Sequence, residues 1–100
     1  MKLQKSSYTR YIGVDVAKAS FEIDDSAGQI AAQVDNDQQA IGQQIVEHIN
    51  DPKSTLVICE GTGGYERLLV DAMHSAGVPV VVANPRQVRD FASGHGILEK

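Results

Sequence analysis

Two acidic residues could do chemistry in this chain, because each stands at the end of an apolar segment of the kind that forms a β-strand. Asp15 comes near the end of YIGVDV (11–16), and Glu60 directly follows TLVIC (55–59). Neighbouring strands lie about 5 Å apart, so carboxylates at the ends of adjacent strands can approach each other closely. Such a pair resists joint ionisation unless a cation lies between the two groups. Oxygen ligands favour Mg²⁺ or Mn²⁺ over zinc, which makes the pair a candidate divalent-metal site.

Both acids also have a simpler interpretation, since acidic residues often cap turns at the ends of strands. The turn after Glu60 is equally open to two interpretations. Thr62, Gly63 and Gly64 could only provide the sharp change of direction between a strand and a helix, or their amides could approach a phosphate at the helix N-terminus. Residue spacing alone leaves both questions open.

The two acids need a sheet that places their strands side by side, and the apolar pattern predicts one. Three β-forming segments with close connections predict an antiparallel meander: 11–16, 21–24 and 29–34. The continuously apolar segment 55–59 predicts a buried central strand, and VPVVVA (78–83) predicts a fifth strand.

Three helices are predicted between and after these strands. Asn36 stands three residues before Gln39, as in a capping pair, and isoleucines then recur every four residues up to Ile49, which predicts a helix to about Asn50. The strongest helical spacing follows the glycines, with Gly77 placed to end it. Its apolar stripe consists of Tyr65, Leu68, Leu69, Ala72, Met73 and Ala76. A last helix is predicted to open at Asn84-Pro85 and to carry Val88, Phe91 and Ala92.

The element order β-β-β-α-β-α-β-α predicts an α/β fold with a mixed five-stranded sheet. Right-handed crossovers after the meander place the first strand beside the fourth, which gives the strand order 3-2-1-4-5 with helices on both faces. This is the ribonuclease-H-like arrangement. Ligands of such sheets bind beyond the carboxyl ends of adjacent parallel strands, which here are the positions of Asp15 and Glu60.

Composition narrows the class of protein. One hundred residues with 42% hydrophobic content suffice for one domain with one core. A net charge of −4 excludes an evenly basic surface, so any nucleic-acid contact must be local. No segment has the length of a membrane span or the pattern of a signal peptide, which predicts a cytoplasmic protein. The lone Cys59 is predicted to be a buried, reduced thiol.

Three segments carry a family resemblance: YIGVDVAKASFEI (11–23), CEGTGGYE (59–66) and GVPVVVANPRQVRDFASGHGILEK (77–100). In this order and spacing they resemble the N-terminal domain of the DEDD transposases of bacterial insertion sequences, relatives of the Piv-type DNA invertases. The resemblance spans residues 11–100 and leaves 1–10 as an N-terminal tail. Gly61 is a small departure, because the family often has Ala there.

The resemblance implies a RuvC-like domain in which four acids, in the order Asp, Glu, Asp, Asp, hold divalent metal for DNA strand cleavage and transfer. Asp15 matches the first acid and Glu60 the second. The family's last two acids follow the pattern that ends here at residues 97–100, so the resemblance implies a domain truncated before them and inactive alone. It also implies DNA as a partner, a guide noncoding RNA in some members, and a homo-oligomer at full length. Contacts to nucleic acid are predicted for Lys18, Thr62, Gly63, Arg86 and Arg89.

Two other classes of function stay open at this point. Actin-like and sugar-kinase ATPases also begin with an apolar strand ending in Ile-Gly-x-Asp, but their next turn is glycine-rich, and residues 16–20 contain no glycine. A non-catalytic module for nucleic-acid binding or assembly would leave the acidic pair without a chemical role.

Overall fold

The computed structural model describes residues 8–60 and 63–83. Within these ranges the strands are β1 (Arg10–Val16), β2 (Ser20–Asp25), β3 (Gln33–Asp35), β4 (Thr55–Glu60) and β5 (Val80–Ala83). The helices are α1 (Gln38–Gln44) and α2 (Arg67–Ala76), with single 3₁₀ turns at Val46–His48 and Pro52–Ser54.

One five-stranded sheet organises these elements, in the order β3-β2-β1-β4-β5. β2 is antiparallel to both β1 and β3, whereas β4 is parallel to both β1 and β5. The predicted strand order and the ribonuclease-H-like α/β architecture are therefore confirmed. β1 begins one residue earlier than the sequence pattern indicated, at Arg10.

The main core lies on one face of the sheet. Side chains alternate along β1, so that Ile12, Val14 and Val16 are buried while Asp15 is exposed. They share one apolar cluster with residues of both helices, and α1 and α2 contact each other. The described helices thus contribute to one core, and the predicted helix at Asn84-Pro85 lies outside the described residues.

β3 is shorter than the predicted strand 29–34, and the cause is the carboxylate of Asp25. Its oxygens accept hydrogen bonds from the backbone amides of Ala27 (3.0 Å), Gln29 (2.8 Å) and Ile30 (3.1 Å). Because these amides bond a side chain, they hold the chain in a turn, and the ladder between β2 and β3 begins only at Gln33.

The same carboxylate forms an ion pair with Arg10. The guanidinium donates from Nε to Oδ1 (2.9 Å) and from Nη2 to Oδ2 (2.8 Å), and Nη1 donates to the carbonyl oxygen of His48 (2.7 Å). Burial opposes ionisation of Asp25, but the bonds from Arg10 and the backbone amides outweigh it and lower its pKa to about 2. Arg10 therefore joins β1 to β2 and to the 3₁₀ turn Val46–His48 that follows α1.

The first helix differs from its prediction in its cap and its length. Asp37, not Asn36, is the N-cap, because Asp37 Oδ1 accepts from the amide of Ala40 (2.8 Å). α1 ends at Gln44, and a 3₁₀ turn continues it. The predicted isoleucine stripe is nevertheless buried along its whole length: Ile41, Ile45 and Ile49.

The second helix begins at Arg67, after a turn over residues 63–66. Tyr65 and Leu68 were assigned to the apolar stripe of this helix, but they lie outside the core, at 44% and 42% exposed. Tyr65 precedes the helix, and Leu68 points about 100° around the axis from its buried neighbour Leu69. Gly77 ends α2 as predicted, with a left-handed φ of 75° that glycine adopts without strain.

Candidate functional site

Asp15 and Glu60 occupy equivalent positions on adjacent parallel strands. The pairing of β1 with β4 aligns Val14 with Cys59, so one further step along each strand reaches the two acids. Residues in register on parallel strands direct their side chains to the same face, on backbones about 5 Å apart. The two carboxylates therefore stand side by side at the carboxyl edge of the sheet, on the face opposite the main core.

Both acids line one open pocket of about 300 Å³. β2 forms its other side, because Asp15 pairs with Glu22 and Gly13 pairs with Asp24 in the antiparallel ladder. Gly13 has no side chain to fill the space between these groups. Four carboxylates thus line the pocket: Asp15, Glu22, Asp24 and Glu60.

The electrostatic character of this pocket follows from its lining. Neither Lys nor Arg is among the described residues that form its walls. Four carboxylates without a cation repel a phosphate group, so a nucleic-acid backbone can approach this pocket only when positive charge is brought to it.

The oxygens of the central pair are available to a ligand. Asp15 is exposed and Glu60 is half-buried, and neither carboxylate accepts a hydrogen bond from another side chain in residues 8–60 and 63–83. Carboxylate oxygens suit Mg²⁺ or Mn²⁺, so this donor set fits such an ion in chemical type. It is incomplete in number, because the described residues contain no group of three or more His, Cys, Asp or Glu side chains arranged to hold a metal.

Asn36 connects the two sides of the site. Its Nδ2 donates to the carbonyl oxygen of Ala17 (2.9 Å), just after β1, and to that of Tyr65 (3.0 Å), in the turn before α2. Sequence reasoning placed Asn36 at a helix cap and missed this role. No periodic pattern marks it, since both partners are backbone atoms at distant positions in the chain.

The remaining predicted contact residues lie around this edge or outside the described residues. Lys18 is exposed in the turn after β1, and Gly63 is exposed with a φ of 67°. A side chain at Gly63 would be strained in that conformation, and its Cβ would lie 3.4 Å from the ring of Tyr65. Thr62, Arg86 and Arg89 lie outside the described residues.

Cys59 lies next to Glu60 but takes no part in the pocket. The thiol is fully buried, as predicted. Burial, with a smaller contribution from the nearby charge of Glu66, raises the pKa of the Cys59 thiol to about 11. The group is therefore protonated at neutral pH, which makes it a poor nucleophile and a poor metal ligand.

Comparison with models of known protein families supplies the identity that the geometry alone does not. The sequence model of the DEDD transposase family, described as a transposase, matches residues 12–99 of this chain. The chain belongs to the DEDD transposase family. No curated protein matches the sequence significantly.

Membership in the DEDD transposase family agrees with the predicted resemblance and supports a transposase function with DNA as a partner. It weakens the ATPase interpretation, whose glycine-rich turn this transposase chain also lacks. Among the described residues, no helix is both long enough and apolar enough to cross a membrane.

Proposed function

We propose that this chain is the catalytic RuvC-like domain of an insertion-sequence transposase, and that Asp15 and Glu60 hold a divalent cation, Mg²⁺ or Mn²⁺, for DNA strand cleavage and transfer. One observation carries the proposal: the register of β1 with β4 puts these two acids at the same level on the same face. A turn-capping role for each acid would not require this alignment.

The charge of the pocket supports a cation-dependent reaction. Its four carboxylates repel the phosphate that a transposase must approach, and the same carboxylates attract a small divalent cation. The cation, when bound, supplies charge neutralisation at the scissile phosphate and acidifies an attacking hydroxyl. The chain's own part is to fix two carboxylates on rigid strands, so that the ligand oxygens need no rearrangement.

The two acids form only part of a metal site. Mg²⁺ prefers six oxygen ligands, and the described residues bring two aligned carboxylates to this edge. Further ligands must come from water, from a DNA phosphate or from acids outside the described residues. We therefore expect residues 1–100 by themselves to bind Mg²⁺ weakly and not to cleave DNA.

The remaining nucleic-acid contacts follow the same edge. Lys18 is exposed in the turn after β1 and Gly63 is exposed in the turn after β4, so each follows a strand that carries one of the acids and is available to a DNA strand bound there. We place Thr62, Arg86 and Arg89 in the same set on the family pattern. Pairing with a guide RNA and assembly of a homo-oligomer belong to the same proposal for the intact protein.

Cleavage of duplex DNA by the intact protein, measured as a function of Mg²⁺, tests the proposal. Asp15→Asn and Glu60→Gln keep the shape of each side chain and remove its charge, and each is expected to reduce cleavage at least about 100-fold, the effect of losing roughly 3 kcal/mol of charge stabilisation. Asp35→Asn is the matched control, because Asp35 is an exposed acid on β3 that does not line the pocket.

Unchanged cleavage by both site variants would refute the proposal. If the variants kept DNA or RNA binding but the wild-type protein showed no cleavage with either cation, the alternative of a non-catalytic binding module would be supported instead. Broadening of the NMR signals of residues 13–16 and 58–60 by Mn²⁺ provides a readout that does not depend on activity.

A further inference from the structure

We infer that Asn36 is a positioning residue that sets the separation between Asp15 and Glu60. The inference rests on the proposed function of that pair. Asn36 touches neither acid: it acts through the two backbone segments that follow them.

The ladder between β1 and β4 ends just before the acids. Its last aligned pair is Val14 with Cys59. Each acid is held on its outer side, Asp15 by pairing with Glu22 of β2 and Glu60 by pairing with Ala83 of β5, but no ladder pair joins the two acids to each other. A connection beyond the β1–β4 ladder would therefore help to fix the distance between their backbones.

Asn36 provides that connection. Its side-chain amide has two N–H donors, and both are used. One bonds the carbonyl oxygen of Ala17, two residues after Asp15, and the other bonds that of Tyr65, five residues after Glu60. A single side chain thus bridges the segments that leave the two halves of the site.

The backbone of Asn36 makes the bridge asymmetric. Its amide nitrogen donates to the carbonyl oxygen of Ala19 (2.9 Å), and the amide of Ala17 donates to Ser20 (3.1 Å). These backbone bonds keep Asn36 attached to the β1–β2 turn whatever its side chain is. Removal of the side chain should therefore free mainly the turn 63–66 on the β4 side.

An aspartate cannot replace this asparagine. Both partners of Nδ2 are carbonyl oxygens, which only accept hydrogen bonds, and an ionised carboxylate offers no donor. Asn36→Asp therefore breaks both bonds while it keeps the size of the side chain. Asn36→Ala breaks the same bonds without adding charge, so agreement between the two variants excludes an effect of charge alone.

Amide hydrogen exchange in this chain provides the first test. In Asn36→Ala and Asn36→Asp we expect exchange to speed up about tenfold at Arg67, whose amide donates to the carbonyl oxygen of Gly64 (3.2 Å) and closes the turn over residues 63–66. This is the size expected for the loss of one hydrogen bond. Exchange at residues 12–14 should be unchanged. Gln33→Ala is the control, because that side-chain amide bonds only the hydroxyl of Ser20 on the neighbouring strand β2 (3.2 Å) and has no bond to the turn over residues 63–66.

The Mg²⁺ dependence of cleavage by the intact protein provides the second test. Groups bonded directly to metal ligands typically change metal affinity about 10- to 100-fold, and Asn36 acts less directly, so its effect should lie at the low end of that range. We expect the Mg²⁺ concentration for half-maximal cleavage to rise about tenfold in both Asn36 variants, while the rate at saturating Mg²⁺ stays close to that of the wild type. A purely structural role would lower the saturating rate or the folded fraction and leave the Mg²⁺ midpoint unchanged.

Each outcome decides the inference. Unchanged exchange at Arg67, an unchanged Mg²⁺ midpoint, or failure of both Asn36 variants to fold while Gln33→Ala folds would overturn it. If Asp15→Asn and Glu60→Gln leave cleavage intact, the proposed function itself fails. The exchange result still shows in that case whether Asn36 bridges the two segments.

Discussion

The ion pair of Arg10 with Asp25 should make the stability of this domain depend on pH in a predictable window. The side chain of Asp25 is only 1% exposed, and its pKa is lowered from 3.8 to about 2. At about 1.4 kcal/mol per pKa unit, this difference corresponds to roughly 2 kcal/mol of folding stability. Because the folded pKa is the lower one, this stability is fully present above about pH 4 and is lost as the pH falls towards 2.

Asp25→Asn tests this reasoning, since it keeps the shape of the side chain and removes its charge. The variant leaves the Arg10 guanidinium largely buried without its counter-charge, and loss of one partner of a buried pair costs about 3 to 5 kcal/mol. The side chain of Arg10 is 10% exposed, so we expect the lower end of that range, about 3 kcal/mol at pH 7.

Urea denaturation followed by circular dichroism at pH 7, 4 and 2 measures both effects. The difference between wild type and Asp25→Asn should shrink by roughly 2 kcal/mol between pH 4 and pH 2. Asp24→Asn is the matched control, because Asp24 is the exposed neighbour on the same strand. Equal destabilisation by the two variants, or a difference that does not change with pH, would refute the assignment of this stability to Asp25.

Two further predictions concern the core and its thiol. Leu69→Ala should lower the free energy of unfolding by about 2 to 5 kcal/mol, because Leu69 is fully buried. Leu68→Ala should lower it by less than about 1 kcal/mol, because Leu68 is 42% exposed. Chemical denaturation of the two variants measures the difference. Cys59 should resist alkylation at pH 8 in the folded protein and react after unfolding, since its thiol is buried and has a pKa of about 11; rapid labelling of the native protein would contradict this.

The strand order and the alignment of the acidic pair were predictable because both depend on local patterns. The alternation of apolar and other residues along β1 indicated that Asp15 points away from the apolar face of the strand. The unbroken apolar run before Glu60 indicated a central strand. The parallel crossover then determines which strands are neighbours. The alignment of the two acids at the same level was the expected consequence, and it agrees with the register observed.

Features that depend on long-range bonds were not predictable from local patterns. Asn36 has the residue type and spacing of a helix cap, but its amide bonds carbonyl oxygens 19 and 29 residues away. Asp25 shortens β3 through local bonds, to amides two to five residues away, but the β-forming pattern of residues 29–34 does not indicate that a side chain competes with the ladder there. Tyr65 and Leu68 fit the helical period and still lie outside the core, Tyr65 because the helix begins only at Arg67 and Leu68 because it points about 100° around the helix axis from buried Leu69.

The parallel pairing of β1 with β4 also determines when Asp15 and Glu60 can come together during synthesis of the chain. Arg10 pairs with Thr55, 45 residues later in the chain. The hairpin of β1 and β2 can form as soon as its residues leave the ribosome, but Asp15 has no partner acid until β4 has emerged and docked. A nascent chain therefore lacks the aligned pair of acids until β4, Thr55–Glu60, has been made.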